Sequence, residues 1–278
     1  MALTAANGPF SGRSPGRFNF EVESPTGSVL FFEPVPQRIR AVFEGATVVD
    51  TTRAKLLHES GHLPVYYVPD EDVRRDLLVP SEKRTRCPHK GEARYWSLRC
   101  GDRTAEDAAW FYPEQIGPAS FLAGHVAFYW NAIDEWFAED EQLHGHARDP
   151  YARIDVYPTS RHVRILLEGE VLADTVRARA LFESNLPTRW YVPQEDVRTD
   201  LLETSATRTR CAYKGSASHF HARAGGALHE DVAWSYPEPQ HDAERVRDYI
   251  AFYNERVEVE LDGELEERPE TQWSHRGR

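Results

Sequence analysis

Short runs of β-branched and aromatic residues, broken by Gly, Pro and polar positions, recur along the chain, and they predict strands first. Arg38 to Phe43 and Ala46 to Asp50 are short β-prone runs about Glu44-Gly45, a pair that suits a tight hairpin. Val65 to Val68 is a further β-branched and aromatic run, closed by Pro69. Glu71 to Leu78 fits a single helical turn capped at Asp70. Thr85 to Arg99 and Thr104 to Tyr112 read as the long strands of a hairpin about Cys100-Gly101-Asp102. The period then changes. Val126, Tyr129, Trp130, Ile133, Trp136 and Phe137 recur at the i, i+3, i+4, i+7 spacing of a buried helical face. Val246, Ile250, Tyr253 and Val257 do the same further on, with Asp242 placed to cap that second helix.

The second helix is an echo of the first, and so is everything before it. Shifted by 124 residues, the chain falls on itself. Arg40, Glu44, Gly45, Asp50, Thr51, Arg53 and Ala54 meet Arg164, Glu168, Gly169, Asp174, Thr175, Arg177 and Ala178. Tyr67-Val-Pro and Glu71-Asp-Val-Arg meet Tyr191-Val-Pro and Glu195-Asp-Val-Arg. Thr85-Arg-Cys87 and Lys90-Gly91 meet Thr209-Arg-Cys211 and Lys214-Gly215. Trp110-x-Tyr112-Pro-Glu meets Trp234-x-Tyr236-Pro-Glu. A unit this long is a domain rather than a solenoid repeat. The expected architecture is therefore α+β and β-rich: two similar small barrel- or sandwich-like domains, each ending in one amphipathic helix. The boundaries follow composition. Residues 1–27 read as a flexible arm, 28–137 as the first domain, 138–151 as a linker, 152–257 as the second domain, and 258–278 as an acidic disordered tail.

Composition narrows the function classes. The 278 residues carry a formal charge of −12. Without a Lys/Arg run, an acidic chain is a poor partner for nucleic acid or an anionic membrane. The three cysteines, Cys87, Cys100 and Cys211, form no Cys-x-x-Cys and suit neither a disulfide framework nor a zinc ribbon. No apolar run approaches the roughly 18 residues that span a bilayer, and Met1 to Arg17 lacks the apolar core of a secretion signal. The expected location is the cytoplasm. Oligomeric state and cofactor are not legible.

Three blocks carry a resemblance: Cys87-Pro-His-Lys-Gly, Tyr95-Trp-Ser, and Ala109-Trp-x-Tyr-Pro-Glu. With the Tyr-x-Pro-x-x-Asp-Val-Arg block before them, they resemble the domain-of-unknown-function 427 family, also labelled a nucleotidyltransferase domain. The resemblance covers about Ser28 to Phe137 and Ala152 to Val257, hence two tandem copies. It implies no established activity. Metal-dependent nucleotidyl transfer calls for a Gly-Ser pair followed by Asp-x-Asp to hold magnesium, and the chain has no such motif. The copies also depart from the family differently. The first has His89 where the second keeps Tyr213, and the second has His219 and His221 where the first has Tyr95 and Ser97.

Several residue groups suit chemistry. Lys90 and Lys214, each beside a Gly turn, either present an ammonium to a carboxylate or phosphate or pin a loop. Cys87 and Cys211 stand near these cations, a setting that favours a thiolate; the alternative is a buried Cys at a strand start. Tyr95, Tyr112 and Tyr236, with Trp110, either pack as core or give a wall of rings and hydroxyls suited to a planar or sugar-like ligand. Alternation places Tyr95 and Ser97 on one face and Trp96 on the other. Arg86 and Arg210, with Arg53, Glu59, Arg177 and Glu183, offer either bidentate anion contacts or structural ion pairs. His219 and His221 point the same way on a strand and are the metal candidates, with Cys211 and His229 as third ligands; two surface imidazoles are the plainer reading. Three functional readings follow. The first is a protein that binds a small polar or anionic molecule in an aromatic-walled pocket with a lysine anchor. The others are an enzyme using a Cys thiolate or a Lys/Tyr acid–base step, and a non-catalytic interaction module.

Overall fold

The computed structural model describes residues 19–20, 28–184, 186–271 and 273–274. The chain divides into two units, Met1–Tyr151 and Ala152–Arg278. The stretch expected as an arm lies outside the described residues, residues 19–20 apart.

The first unit is an open two-sheet sandwich. Its seven-stranded sheet runs in the order β1(Leu30–Pro34), β4(Lys55–Glu59), β5(Val65–Pro69), β9(His125–Phe128), β8(Arg103–Gln115), β7(Gly91–Cys100), β6(Leu78–Cys87). The smaller sheet runs β11(Glu141–Leu143), β10(Glu135–Ala138), β2(Ile39–Phe43), β3(Ala46–Thr51). The named strand pairs are antiparallel, and each order runs from edge to edge, so no barrel closes. The predicted hairpin about Glu44-Gly45 is present, with φ of 50° and 70°, the left-handed values a two-residue turn demands. Ile39, Ala41 and Phe43 from the small sheet meet Leu56, Tyr66, Val68, Leu98 and Phe128 from the large one in the main core.

Period-2 alternation puts the opposite set of side chains on the other face of the large sheet. Leu57, Tyr67, Ala93, Tyr95, Tyr112 and Ala127 form a second, smaller cluster there, under the 3₁₀ segment Gly117–Leu122. Trp96 packs into the main core instead, as the alternation requires.

The second unit repeats this plan strand for strand: β12(Ile154–Pro158), β15(Arg179–Glu183), β16(Arg189–Pro193), β20(Tyr249–Phe252), β19(Ala227–Pro239), β18(Gly215–Ala224) and β17(Leu202–Cys211) make the large sheet, and β14(Glu170–Thr175), β13(Val163–Leu167), β21(Glu258–Leu261) and β22(Glu264–Leu265) the small one.

Four expectations are corrected. No α-helix occurs among the described residues. The stretch from Val126 to Phe137 is strand β9, a 3₁₀ turn at Trp130–Ala132, and strand β10. Its apolar residues mimic helical spacing because Val126 points into the core from the strand, while Trp130 in the turn and Ile133 and Trp136 after it return to the same core. Asp242 lies inside the 3₁₀ segment His241–Val246, which has no side-chain cap. Second, Glu258–Leu261 and Glu264–Leu265 are strands rather than disordered tail. Val259 and Leu261 point into the core while Glu258 and Glu260 point out, an alternation hidden by the acidic composition. Third, the linker contains β11, which pairs with β10. Fourth, the strand predicted from Thr85 to Arg99 is broken after Cys87 by the turn that carries Lys90. Among the described residues no helix is long and apolar enough to cross a membrane.

Candidate functional site

The repeated Lys-Gly pair sits at the turn between β6 and β7, and between β17 and β18. Gly91 has φ of +112°, and a Cβ there would lie 2.6 Å from the Glu114 carbonyl oxygen. Gly215 has φ of +94°, with the corresponding oxygen of Glu238 at 3.0 Å. The carbonyls of Lys90 and Lys214 accept from the amides of Ile116 and Gln240. Each turn thus clamps against the end of the neighbouring strand and sends its Lys side chain inward.

The ammonium of Lys90 meets the carboxylate of Glu59, and that of Lys214 meets Glu183. All four side chains are close to fully buried, at 9–12% exposure. Each lysine is therefore half of a neutral pair, and its charge is already answered. Glu59 and Glu183 pair with these lysines and not with the arginines. Arg53 is instead bonded to Glu71 and Asp72, and Arg177 to Glu195 and Asp196. Arg86 and Arg210 are exposed. Alternation along their strands turns them away from Cys87 and Cys211, so the structure does not bring these arginines to the cluster.

Tyr95, Trp110 and Tyr112 gather on one sheet face, as do their counterparts, and Tyr95, Tyr112 and Tyr236 are buried in core clusters there, at 5–7% exposure. Trp110 donates its indole N–H to the Tyr67 hydroxyl at 3.2 Å, and Trp234 to Tyr191 at 3.1 Å. The ring pairs are near-perpendicular, at 87° and 88°. Tyr129 and Tyr253 lie over the same tryptophans, at 4.6 and 4.4 Å between centroids. Burial pushes the hydroxyls of Tyr67, Tyr112, Tyr191 and Tyr236 well up from their ordinary value, and Tyr129 up to about 12, with its Tyr95 contact adding to the effect. They act as neutral hydrogen-bonding groups. Cys87 and Cys211 are half-buried beside these rings. The cation that would favour their thiolates is committed to a carboxylate, and His89 is exposed.

The two histidines have plain structural duties. Tyr95 bonds Thr85 Oγ1 at 2.7 Å, and His219 Nε2 bonds Thr209 Oγ1 at 2.9 Å. Ser97 Oγ accepts the amide of Asp107 at 3.0 Å, and His221 Nδ1 accepts the amide of Asp231 at the same distance. Those aspartates have positive φ, 53° and 51°, in strands that carry register shifts. Tyr95/His219 and Ser97/His221 are thus alternative solutions to one bonding problem. Among the described residues no group of three or more His, Cys, Asp or Glu is arranged to hold a metal.

The units differ where sequence reasoning did not look. A pocket of about 110 Å³ opens in the second unit, lined by Thr207, His219, Glu230, Asp231, Tyr253, Arg256 and Trp273. Thr207 Oγ1 donates to Asp231 Oδ2 at 2.7 Å, and Arg256 Nη1 to the Asp231 carbonyl at 3.0 Å. Burial pushes the Asp231 carboxyl up, but the hydroxyls of Ser205 and Thr207 and the fields of His219 and His221 together hold it below the usual range. Beside the pocket, Arg189 makes a bidentate pair with Glu255, both bonds 2.7 Å, at 6% and 0% exposure. Thr271 adds a third bond to Glu255 at 2.6 Å. A broader hollow of about 380 Å³ in the first unit is lined in part by Asp50, Glu71 and Asp72. Those acids are already bonded to Arg38 and Arg53.

Residues 31–139 and 155–263 both match the family described as a domain of unknown function (DUF427). The chain belongs to this family, as two tandem copies. No curated protein matches it. The match covers both large sheets and both Lys-Gly turns, so the buried Lys–Glu pair and the Tyr–Trp wall lie within the family domain in each copy.

Proposed function

We propose that this tandem DUF427 protein binds a small polar molecule on the outer face of a large sheet, and that the working pocket is the one in the second unit. The observation that carries this reading is the hollow between Tyr253, Trp273 and Asp231. Its lining combines the Tyr253 and Trp273 rings with convergent polar groups that can fix a ligand's orientation. At about 30 Å³ per water-sized group, 110 Å³ admits about four non-hydrogen atoms. The ligand, or the part of it held here, is correspondingly small. Lys214 contributes as one half of the Lys214–Glu183 pair that fixes the wall, and the polar anchors are Asp231, Glu230 and Arg256. A thiolate enzyme has less support, because Lys90 and Lys214 are neutralised by their glutamates.

The test is a thermal-shift screen of carboxylates, amines, sugars and nucleotides on wild type and Asp231→Asn. A ligand that binds only the folded state raises the melting temperature by mass action, by the equivalent of about 2.7 kcal/mol at a hundredfold excess over Kd. The expected result is a class of compounds whose shift shrinks in the variant. No shift with any compound well above millimolar concentration would remove the proposal and favour an interaction module.

A further inference from the structure

The first unit shows what the pocket of the second unit is built to hold. The residues around the pocket correspond at the constant offset of 124: Ser81 with Ser205, Tyr95 with His219, Glu106 with Glu230, Asp107 with Asp231, and Tyr129 with Tyr253. Three positions differ, since the first unit has Lys83, Tyr95 and Ala132 where the second has Thr207, His219 and Arg256. In the first unit the Lys83 ammonium lies 4.6 Å from the Tyr95 ring centroid and 5.7 Å from that of Tyr129, and 3.4 Å from Asp107 Oδ2. A cation over two ring faces beside a carboxylate is the arrangement by which aromatic cages take alkylammonium groups. In the second unit the lysine is gone and His219 replaces the Tyr95 ring, while the carboxylate and the Tyr253 face remain and Trp273 and Arg256 join the lining.

We infer that the second-unit pocket is a receptor for a primary alkylammonium group, which takes the place that Lys83 occupies in the first unit. The inference rests on the pocket reading above and adds the ligand class. Among the lining residues two carboxylates, Glu230 and Asp231, outnumber the one guanidinium of Arg256, with the His219 imidazole as the remaining titratable group. The size agrees as well, since an ammonium and its first three carbons are about four non-hydrogen atoms.

The experiment is a residue-resolved NMR titration of the full chain with propylammonium, propan-1-ol and propionate. Propylammonium is expected to shift the amides of Asp231, Tyr253 and Arg256, with propan-1-ol and propionate silent there. Thr207→Lys, which supplies the second unit with its own ammonium, is expected to abolish those shifts. Asp231→Asn is expected to weaken binding about tenfold or more, the usual effect of losing a charged hydrogen-bond partner. Lys83→Thr is expected to open a new site, read at Asp107 and Tyr129. Propionate or propan-1-ol shifting these amides with propylammonium silent would overturn the ammonium assignment and leave the pocket standing. Silence from all three would overturn the assignment, and the pocket then depends on the thermal-shift screen alone. Unchanged propylammonium affinity in a folded Thr207→Lys variant would also overturn it.

Discussion

Replacing Glu255 by Gln removes one charge from the buried Arg189–Glu255 pair and leaves the Arg189 guanidinium among Trp234, Tyr253 and Trp273, whose ring centroids lie 5.6–5.7 Å from its central carbon. With side chains 6% and 0% exposed, solvent does little to screen the loss. Breaking such a pair from one side costs about 3–5 kcal/mol. With a urea slope of about 2–3 kcal/mol per M, the second unit's unfolding midpoint falls by about 1–2 M. The tandem repeat supplies its own control. The first unit has Val65 and Asn131 at the corresponding positions and folds without the pair. The double variant Arg189→Val/Glu255→Asn is therefore expected to recover most of the loss, because neither charge is left stranded. Hydrogen exchange of the β16 and β20 amides, followed through urea, isolates the second unit from the first. A Glu255→Gln penalty below about 0.5 kcal/mol, the size of an ordinary surface change, would refute the reasoning. So would a double variant no more stable than the single one.

Further expectations follow from the same contacts. Gly91→Ala and Gly215→Ala both force a side chain onto positive φ, at about 1–3 kcal/mol. Only the first drives its Cβ well inside 3.0 Å of a backbone oxygen, so Gly91→Ala should lower thermal stability more than Gly215→Ala, read by calorimetry. Burial raises the Glu255 carboxyl, but the bonds from Arg189 and Thr271 and the Arg189 charge bring it below the ordinary range. A depressed carboxylate contributes stability above its unfolded pKa, and that stability is lost as pH falls through the folded value. The wild type should thus lose more stability than the Arg189→Val/Glu255→Asn variant on acidification below about pH 5, in denaturant titrations at each pH. Lys214→Met strands a buried carboxylate at Glu183 and should destabilise by about 3–5 kcal/mol, with Lys214→Met/Glu183→Gln closer to wild type in the same urea assay.

The constant offset was legible because identical residues at one spacing survive whatever structure they adopt, and the strands followed wherever one face was clearly apolar. Val65 to Val68 and the Glu44-Gly45 hairpin are examples. The helix failed because strand–turn–strand can place Val126, Trp130, Ile133 and Trp136 in one core at spacings that look helical. The tail failed because four glutamates between Glu258 and Glu266 outweigh two inward side chains in composition, though the sheet needs only Val259 and Leu261. The Lys90–Glu59 pairing was illegible for a different reason. The two residues are 31 apart, and spacing says nothing of a contact across a sheet face. The pocket does leave a signal in the sequence, since aligning the two copies exposes the exchanges of Lys83 for Thr207, Tyr95 for His219 and Ala132 for Arg256. Trp273 lay in a stretch read as disordered.

The central claim is a small polar ligand held in the second unit, and the most direct test is a crystal structure of the chain with the compound that gives the largest thermal shift. The account predicts electron density for that compound between Tyr253, Trp273 and Asp231, with the equivalent place in the first unit filled by Lys83. Density for the compound at another place, with the hollow beside Asp231 holding only water, would contradict it.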